Sequence, residues 1–355
     1  MLTLALLMQL SAPAAAAPAP AITIRPDTVL VERDGDAQYL NFDIIVRNGG
    51  ADTATLKAVR LEARDATGRV VVRRFIDGSG FSPSIATIPG AVVAPGGAAI
   101  VYNPFHTLPG RLRLAVLRYD LEFAAGDTTV TATASVRPVE VRPATALALP
   151  LAGSVLVFDG HDFYGHHRRW DLTHPVMKMI GVTRNAGRYA YDLSPVDGEG
   201  RMFRTDGSTN ADWYGWEAPV RAPAAGIVVA AANDQPDYEI GRTRMDERHV
   251  LERPLALYGN YVVIDHGDGE FSMLAHMREG SVTVKPGTRV KAGETIGRIG
   301  FSGAVYTVHL HYELRRGAGI DVDGLPSYFR GVRRAGERDG SAPVRIDSGD
   351  IVESR

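Results

Sequence analysis

The stretch Gly259–Leu314 reads GNYVVIDHGDGEFSMLAHMREGSVTVKPGTRVKAGETIGRIGFSGAVYTVHLHYEL, and the rest of the chain can be read outward from it. Four short runs, Tyr261–Ile264, Phe271–Ala275, Arg289–Val290 and Tyr312–Leu314, alternate with Gly, Pro and Asp turns. That pattern predicts small antiparallel strands. Two features carry chemistry. His276 follows the second run, and His309 and His311 flank Leu310. Side chains two apart on a strand share a face, so the two imidazoles are expected to point together with Leu310 directed into the core. Two such imidazoles can bind a metal, or one can bind it while the other handles protons.

With 355 residues the chain has room for about two domains. A net charge of −2 gives no electrostatic footprint for nucleic acid. The chain has no cysteine, which excludes disulfides, a thiolate metal site and a Cys nucleophile. Any zinc must then be held by His and carboxylate. The start, MLTLALLMQLSAPAAAAPAPA, joins the apolar run Leu2–Leu10 to small residues with Ala-x-Ala sites around Ala14–Ala17. Residues 1–21 read as a secretory signal peptide, although no Lys or Arg precedes the run. The run is too short to span a bilayer. Export would place the protein in a periplasm or outside the cell.

Residues 22–142 read as all-β. Tyr39–Arg47, Leu56–Arg64, Val70–Phe75, Ala98–Tyr102, Leu114–Phe123 and Thr128–Val136 are short runs separated by turn signals. They predict an immunoglobulin-like β-sandwich with a positioning or partner-binding role. Proline recurs and periodicity fades through Pro138–Leu151, and residues 143–152 are assigned as a linker. A second domain then covers 153–316. It opens with a strand at Gly153–Asp159 and the His-rich segment GHDFYGHHRRWDLTHP at Gly160–Pro175. Asn233–Leu257 is a polar insertion expected to wall a groove. Residues 317–355 form an extension expected to pack along this domain. Helix signal is scarce throughout.

The ordered set HLHYEL (His309–Leu314), VKPGTRVKAGETIGRIGFSG (Val284–Gly303), GNYVVIDHGDGEFSMLAHM (Gly259–Met277) and APVRAPAAGIVV (Ala218–Val229) resembles the M23, lysostaphin/LytM-type, family of zinc peptidases. The resemblance implies an antiparallel β domain like a lipoyl or biotinyl half-barrel, with long groove-lining loops. It implies one zinc ion and hydrolysis of amide bonds in peptidoglycan peptide stems or cross-links. Position by position, it makes His311 and Asp192 of RYAYDL metal ligands, and His276 and His309 the catalytic histidines beside the metal. Much of the family has a further His four residues before the Asp, where this chain has Arg188. Guanidinium cannot ligate a metal. Other members take this ligand from a Gly-His-Arg-Arg segment upstream. Within GHHRR (Gly165–Arg169) this points to His167, with His166 as the alternative.

Zinc held by two imidazoles and a carboxylate keeps an open coordination position. No His-Glu-x-x-His motif supplies a Glu base, so histidine must move the proton. Arg168 and Arg169 could bind a substrate carboxylate, and Trp213, Tyr214 and Trp216 could line the groove. His106, His161, His174 and His249 read as ordinary structural or surface histidines, and His266 as support for the turn beside Asp265. Met177-Lys178-Met179 has the look of a modified-lysine turn but lies well before both half-motifs, so it reads as chance. The leading expectation is an exported zinc endopeptidase of the cell wall. The alternative, motivated by Arg188, is a catalytically degenerate module that binds peptidoglycan, a wall amidase or another remodelling partner, the last through the sandwich.

Overall fold

The computed structural model describes residues 18–141, 144–242, 247–336 and 342–354. Most of the expected signal peptide, residues 1–17, lies outside them. The regular structure among the described residues is almost all strand, with two short α-helices at Pro175–Met179 and Glu247–Glu252. Two compact units form. One holds the described residues up to Ile24 with Ile44–Val101 and Ala115–Val136. The other holds Arg25–Asp43, Tyr102–Leu114 and the remainder from Arg137. Two segments that the sequence reading assigns to the sandwich therefore cluster with the second unit.

In the first unit, Ala54–Arg64, Val116–Ala125, Thr128–Val136 and Val70–Ile76 pair antiparallel in one sheet, joined by Val92–Val93. A second sheet orders Ala21–Arg25, Asp43–Arg47 and Ala98–Tyr102, of which the end residues Arg25, Asp43 and Tyr102 already count with the second unit. Along Val116–Ala125, Leu117, Tyr119, Leu121 and Phe123 are buried while Arg118 faces water. Such alternation marks a sheet with one covered face, as a sandwich requires.

The second unit is organised by ten strands. They are β1 (Gly153–Asp159), β2 (Tyr191–Pro195), β3 (Gly226–Ala232), β4 (Asn260–Asp265), β5 (Phe271–Met277), β6 (Arg289–Val290), β7 (Leu310–Arg315), β8 (Gly324–Leu325), β9 (Val332–Arg334) and β10 (Ile351–Ser354). The sheet order is β6-β3-β4-β5-β7-β2-β1-β10-β9, with β8 on the side of β7. β10 brings the C-terminal extension into this sheet, against β1. Central β7 is buried on both faces. Leu310, Tyr312 and Leu314 enter the main core with Val155, Val157, Tyr191, Leu193 and Leu274. Alternation puts His311, Glu313 and Arg315 on the other face.

Register fixes the rest. Asp192 on β2 pairs with His311 on β7, Ala275 on β5 pairs with the same residue, and Asp159 on β1 pairs with Asp192. Paired residues share a face, so three adjacent strands deliver Asp159, Asp192 and His311 side by side. The run Tyr39–Arg47, expected as one strand, is broken at Asn41 and Phe42 into Ala37–Leu40 and Asp43–Arg47. The first piece joins a four-stranded sheet with Leu30–Asp34, Thr107–Pro109 and Val139–Glu140 in the second unit.

Candidate metal centre

Asp192 is fully buried, and three imidazole nitrogens converge on its Oδ1. His167 Nε2 lies at 3.0 Å, His311 Nδ1 at 3.1 Å and His309 Nε2 at 3.2 Å. His167 Nε2 and His311 Nδ1 are also 3.2 Å from each other. The other carboxylate oxygen, Oδ2, is buried with no hydrogen-bond partner among the described residues. A buried, unpartnered carboxylate oxygen is costly unless a cation compensates it. Donor spacings of this size match the edge of a zinc tetrahedron, about 3.3 Å for bonds of about 2.05 Å. The chemistry of the set fits a divalent ion.

Each ring is oriented by its second nitrogen. His311 Nε2 lies 2.8 Å from Glu313 Oε1 and donates to it; burial opposes a charged ring, but the bonds to Asp192 and Glu313 raise its pKa to about 9, and an ion at Nδ1 would take the place of the second proton. Glu313 also accepts from Tyr258 Oη at 2.9 Å and from Arg315 Nη1 at 3.1 Å. Burial alone would raise the Glu313 pKa; Arg315 and His311 outweigh it and hold the carboxyl at about 2. Burial likewise opposes ionisation of Asp192, but His309 and His167 hold its carboxyl well below the usual range. Burial, aided by His311 and His166, lowers the His167 pKa although Asp192 opposes it, so this imidazole is disposed to be neutral, as a ligand must be.

His276 sits 5.0 Å from His309 and 5.7 Å from His311 between ring centroids. Strict alternation along β5 would direct it away from the face of Ala275. Its φ of 58°, in the left-handed region, breaks the alternation and turns the ring toward the other histidines. Such strain in a non-glycine residue is typical of functional sites. His276 Nδ1 donates to the Ser302 carbonyl at 2.8 Å, leaving Nε2 free. Burial and the two neighbouring histidines push its pKa well down. His309, one residue ahead of β7, places Nδ1 2.8 Å from the Thr307 carbonyl.

The chemistry continues onto an exposed rim. Ligand atoms of Asp159, His166, His167 and Asp192 all lie within 4.8 Å of one another. His166, with 44% of its side chain exposed, lies 2.9 Å from Asp159 through Nδ1 and 3.7 Å from Asp192 through Nε2. The Tyr306 hydroxyl is 3.4 Å from His166 Nδ1. Of the two candidates in GHHRR, His167 is therefore inside the cluster and His166 on its margin. The sequence reading missed Asp159, Tyr258, Tyr306 and Glu313. Glu313 had a signal, since it stands two residues after His311 on one strand face; Asp159 had none, because only cross-strand register brings it near.

The other expected site residues are placed less favourably. Arg168 is not free to meet substrate: it is 1% exposed and bonded to Asp43 at 2.7 Å. Arg169 is half-buried, with its guanidinium 4.3 Å from the Tyr102 ring centroid and 5.2 Å from that of Phe163. Trp213 belongs to the core, its indole N–H donating to Gly207. Tyr214 bonds Asp197 and lies under Arg204, and half-buried Trp216 lies under Arg278. Their contacts show packing of the 202–216 loop. His266 bonds Ala225 and Ser272, as expected of a turn support. Lys178 lies on the short helix Pro175–Met179.

The family comparison meets this geometry at the strands that carry the histidines. Residues 214–323 match the family described as Peptidase family M23. This segment is an M23 peptidase domain. It contains His276, His309 and His311; His167 and Asp192 lie ahead of the matched residues. Peptidoglycan DD-endopeptidase ShyA of Vibrio cholerae is 38% identical over 127 residues, 35% of this chain and 27% of that protein. Murein hydrolase activator EnvC of Escherichia coli is 37% identical over 71 residues, 20% of this chain and 16% of that protein. The chain thus spans about a quarter or less of these relatives. Among solved structures, the catalytic domain of the M23 protein EnpA from Enterococcus faecalis covers 39% of this chain and 73% of its own, at 23% identity and a TM-score of 0.25. Among the described residues no helix is long and apolar enough to cross a membrane.

Proposed function

We propose that the chain is an exported zinc-dependent endopeptidase that hydrolyses amide bonds in the peptide stems or cross-links of peptidoglycan. One observation carries the reading: His167 Nε2, Asp192 Oδ1 and His311 Nδ1 stand 3.0 to 3.2 Å apart in a buried cluster. These three residues would hold the ion, with Glu313 fixing the His311 ring. A bound zinc ion would polarise the scissile carbonyl and make water acidic enough to attack near neutral pH. His276, neutral and with Nε2 free, is placed to accept the proton of the attacking water and return it to the leaving amine. His309, with Nδ1 donating to the Thr307 carbonyl, directs the Nε2 lone pair into the same space and is a second candidate to take the proton of the attacking water. The C–N bond then breaks, giving a carboxylate and an amine.

The name of the ShyA relative supports the substrate class, and the apolar run Leu2–Leu10 supports export. The rim residues His166 and Tyr306 would meet substrate; Arg168 and Trp213, held by Asp43 and Gly207, are withdrawn from that role. The sandwich would position the wall or a remodelling partner.

The test is zinc analysis of the purified protein together with digestion of cross-linked muropeptides, read by mass spectrometry. The expected result is about one zinc per chain and new amine and carboxylate ends, both lost in Asp192→Asn. A wild-type protein that retains no zinc and leaves every cross-link intact refutes the reading. It would favour a non-catalytic wall-binding module, the alternative supported by the likeness to EnvC and by Arg188.

A further inference from the structure

Asp43 is separated from the histidine cluster by more than a hundred residues of sequence and belongs to the same unit. It is fully buried, and each of its carboxylate oxygens binds a different arginine. Oδ1 accepts from Arg168 Nη1 at 2.7 Å and Oδ2 from Arg188 Nη2 at 2.6 Å. Both arginines are 1% exposed. Arg168 lies in the 3-10 turn His167–Arg169, and Arg188 in the 3-10 turn Ala186–Tyr189, which leads into β2 and Asp192.

Neither turn has a side-chain cap at its start. Single turns of this kind hold no shape of their own. Their mutual position is set by the bonds between and around them. Asn185 Nδ2 donates to the His167 carbonyl at 2.8 Å. Asn41 Nδ2 donates to the Arg188 carbonyl at 3.0 Å, and Arg168 Nη2 to the Phe42 carbonyl at 3.1 Å. Among the described residues Asp43 is the one carboxylate that bonds to both turns, one carrying His167 and the other preceding Asp192.

From this geometry we infer that Asp43 is a positioning residue for the metal site: with Arg168 and Arg188 it clamps the two turns so that His167 meets Asp192 and His311. The inference rests on the metal-site reading above. It also gives Arg188 a role. The position where the family resemblance implies a histidine holds one arm of the clamp, while the ligand itself comes from the other turn. A planar fork on each side and one oxygen apiece fix direction as well as distance.

The experiment uses the full chain and Asp43→Asn, which keeps the shape but loses the charge. Cobalt(II) affinity is measured by chelator competition and by the visible absorption of the bound ion. In parallel, metal-free protein is treated with diethyl pyrocarbonate, and fragment ions distinguish His167 from His166. The expected result is cobalt binding weakened about 10-fold or more, an altered absorption band, and a His167 that reacts where the wild-type residue is protected. Arg168→Lys, which keeps the charge but not the fork, is expected to show the same changes more weakly and carries the test should Asp43→Asn fail to fold. Glu270→Gln is the control. It removes a buried carboxylate that binds the Ala144 and Thr145 amides, next to the end of β5 remote from His276. Its cobalt affinity should equal that of the wild type. Wild-type cobalt affinity and a protected His167 in both clamp variants would overturn the proposal. So would an equal loss of affinity in Glu270→Gln, which would mark general destabilisation. A wild-type chain that binds no divalent ion, while Asp43→Asn still exposes His167, leaves the clamp standing and removes the metal-site reading.

Discussion

Glu313 acts on His311 from the side opposite Asp192, so the two carboxylates have separate jobs. Asp192 would bind the ion, and Glu313 fixes which nitrogen of His311 carries the proton. Glu313→Gln keeps an acceptor for that proton but loses the charge paired with Arg315. The expected effect is about 10-fold weaker metal binding, since partners behind a ligand commonly contribute 10- to 100-fold. Isothermal titration with zinc would measure it. Tyr258→Phe removes the 2.9 Å bond to Glu313 and the longer 3.5 Å one from Arg315, and should lower stability by about 1 kcal/mol with little change in metal affinity. A chemical denaturation curve checks the first expectation and the same titration the second. His311→Ala, by contrast, removes a proposed ligand and should abolish the proposed cleavage. Residual turnover at the wild-type rate would show that His311 is not one.

At the level of elements, the geometry of the proposed catalytic histidines depends on a turn as much as on strands. Ser302 receives the His276 proton on its carbonyl, accepts from the Asn260 amide at 2.9 Å and donates to the Met277 carbonyl at 2.7 Å. Gly303, with φ of 83°, follows it and lies against the backbone of Gly259 and Leu257. A Cβ at Gly303 would collide with the Gly259 backbone and would also have to adopt the left-handed region. Gly303→Ala should therefore cost more than about 1 kcal/mol. It should also lower kcat more than KM, because the displaced Ser302 carbonyl is the one that holds His276 Nδ1. Melting temperature and muropeptide kinetics together check this; a variant with normal kcat would show that the turn does not hold the ring. The strands of this region were legible because turns and apolar runs alternate so regularly between Gly259 and Leu314. His276 itself was visible as a residue, but its reversed direction was not. A positive φ in a histidine leaves no local pattern, and the adjoining bulge exists only once β4 pairs with β5.

Across the whole molecule, buried charge is concentrated in the second unit. Glu32, 1% exposed, lies 3.0 Å from His161 Nε2 and 3.4 Å from Arg345 Nε. Burial alone would raise the Glu32 pKa, but His161 and Arg345 lower it below its ordinary value of 4.5. The carboxylate therefore contributes stability that is fully present above that ordinary value and is lost as the pH falls through the lowered folded value. Glu32→Gln should be less stable than the wild type by about 3 kcal/mol near neutral pH, the cost of leaving buried charges unpaired. The gap should narrow in acid, and urea titrations across the acid range would show whether it does. The same concentration of charge explains what could be read beforehand. His309 and His311 share one short strand region, and the all-β character follows from local alternation. The assignment of 25–43 to the second unit, Asp43 between two arginines and Asp159 beside Asp192 depend on pairings between remote segments. No window of sequence contains them. His167 and Asp192 are 25 residues apart, and His311 is 144 from the first and 119 from the second. An unfolded chain consequently offers a divalent ion little beyond the local pairs His166–His167 and His309–His311, so an ion at the centre would bind the native state far better. Occupancy and thermal resistance are then two readings of one equilibrium: each tenfold rise in free ion above the dissociation constant adds about 1.4 kcal/mol to the folded state, and a melting curve becomes a gauge of how full the centre is.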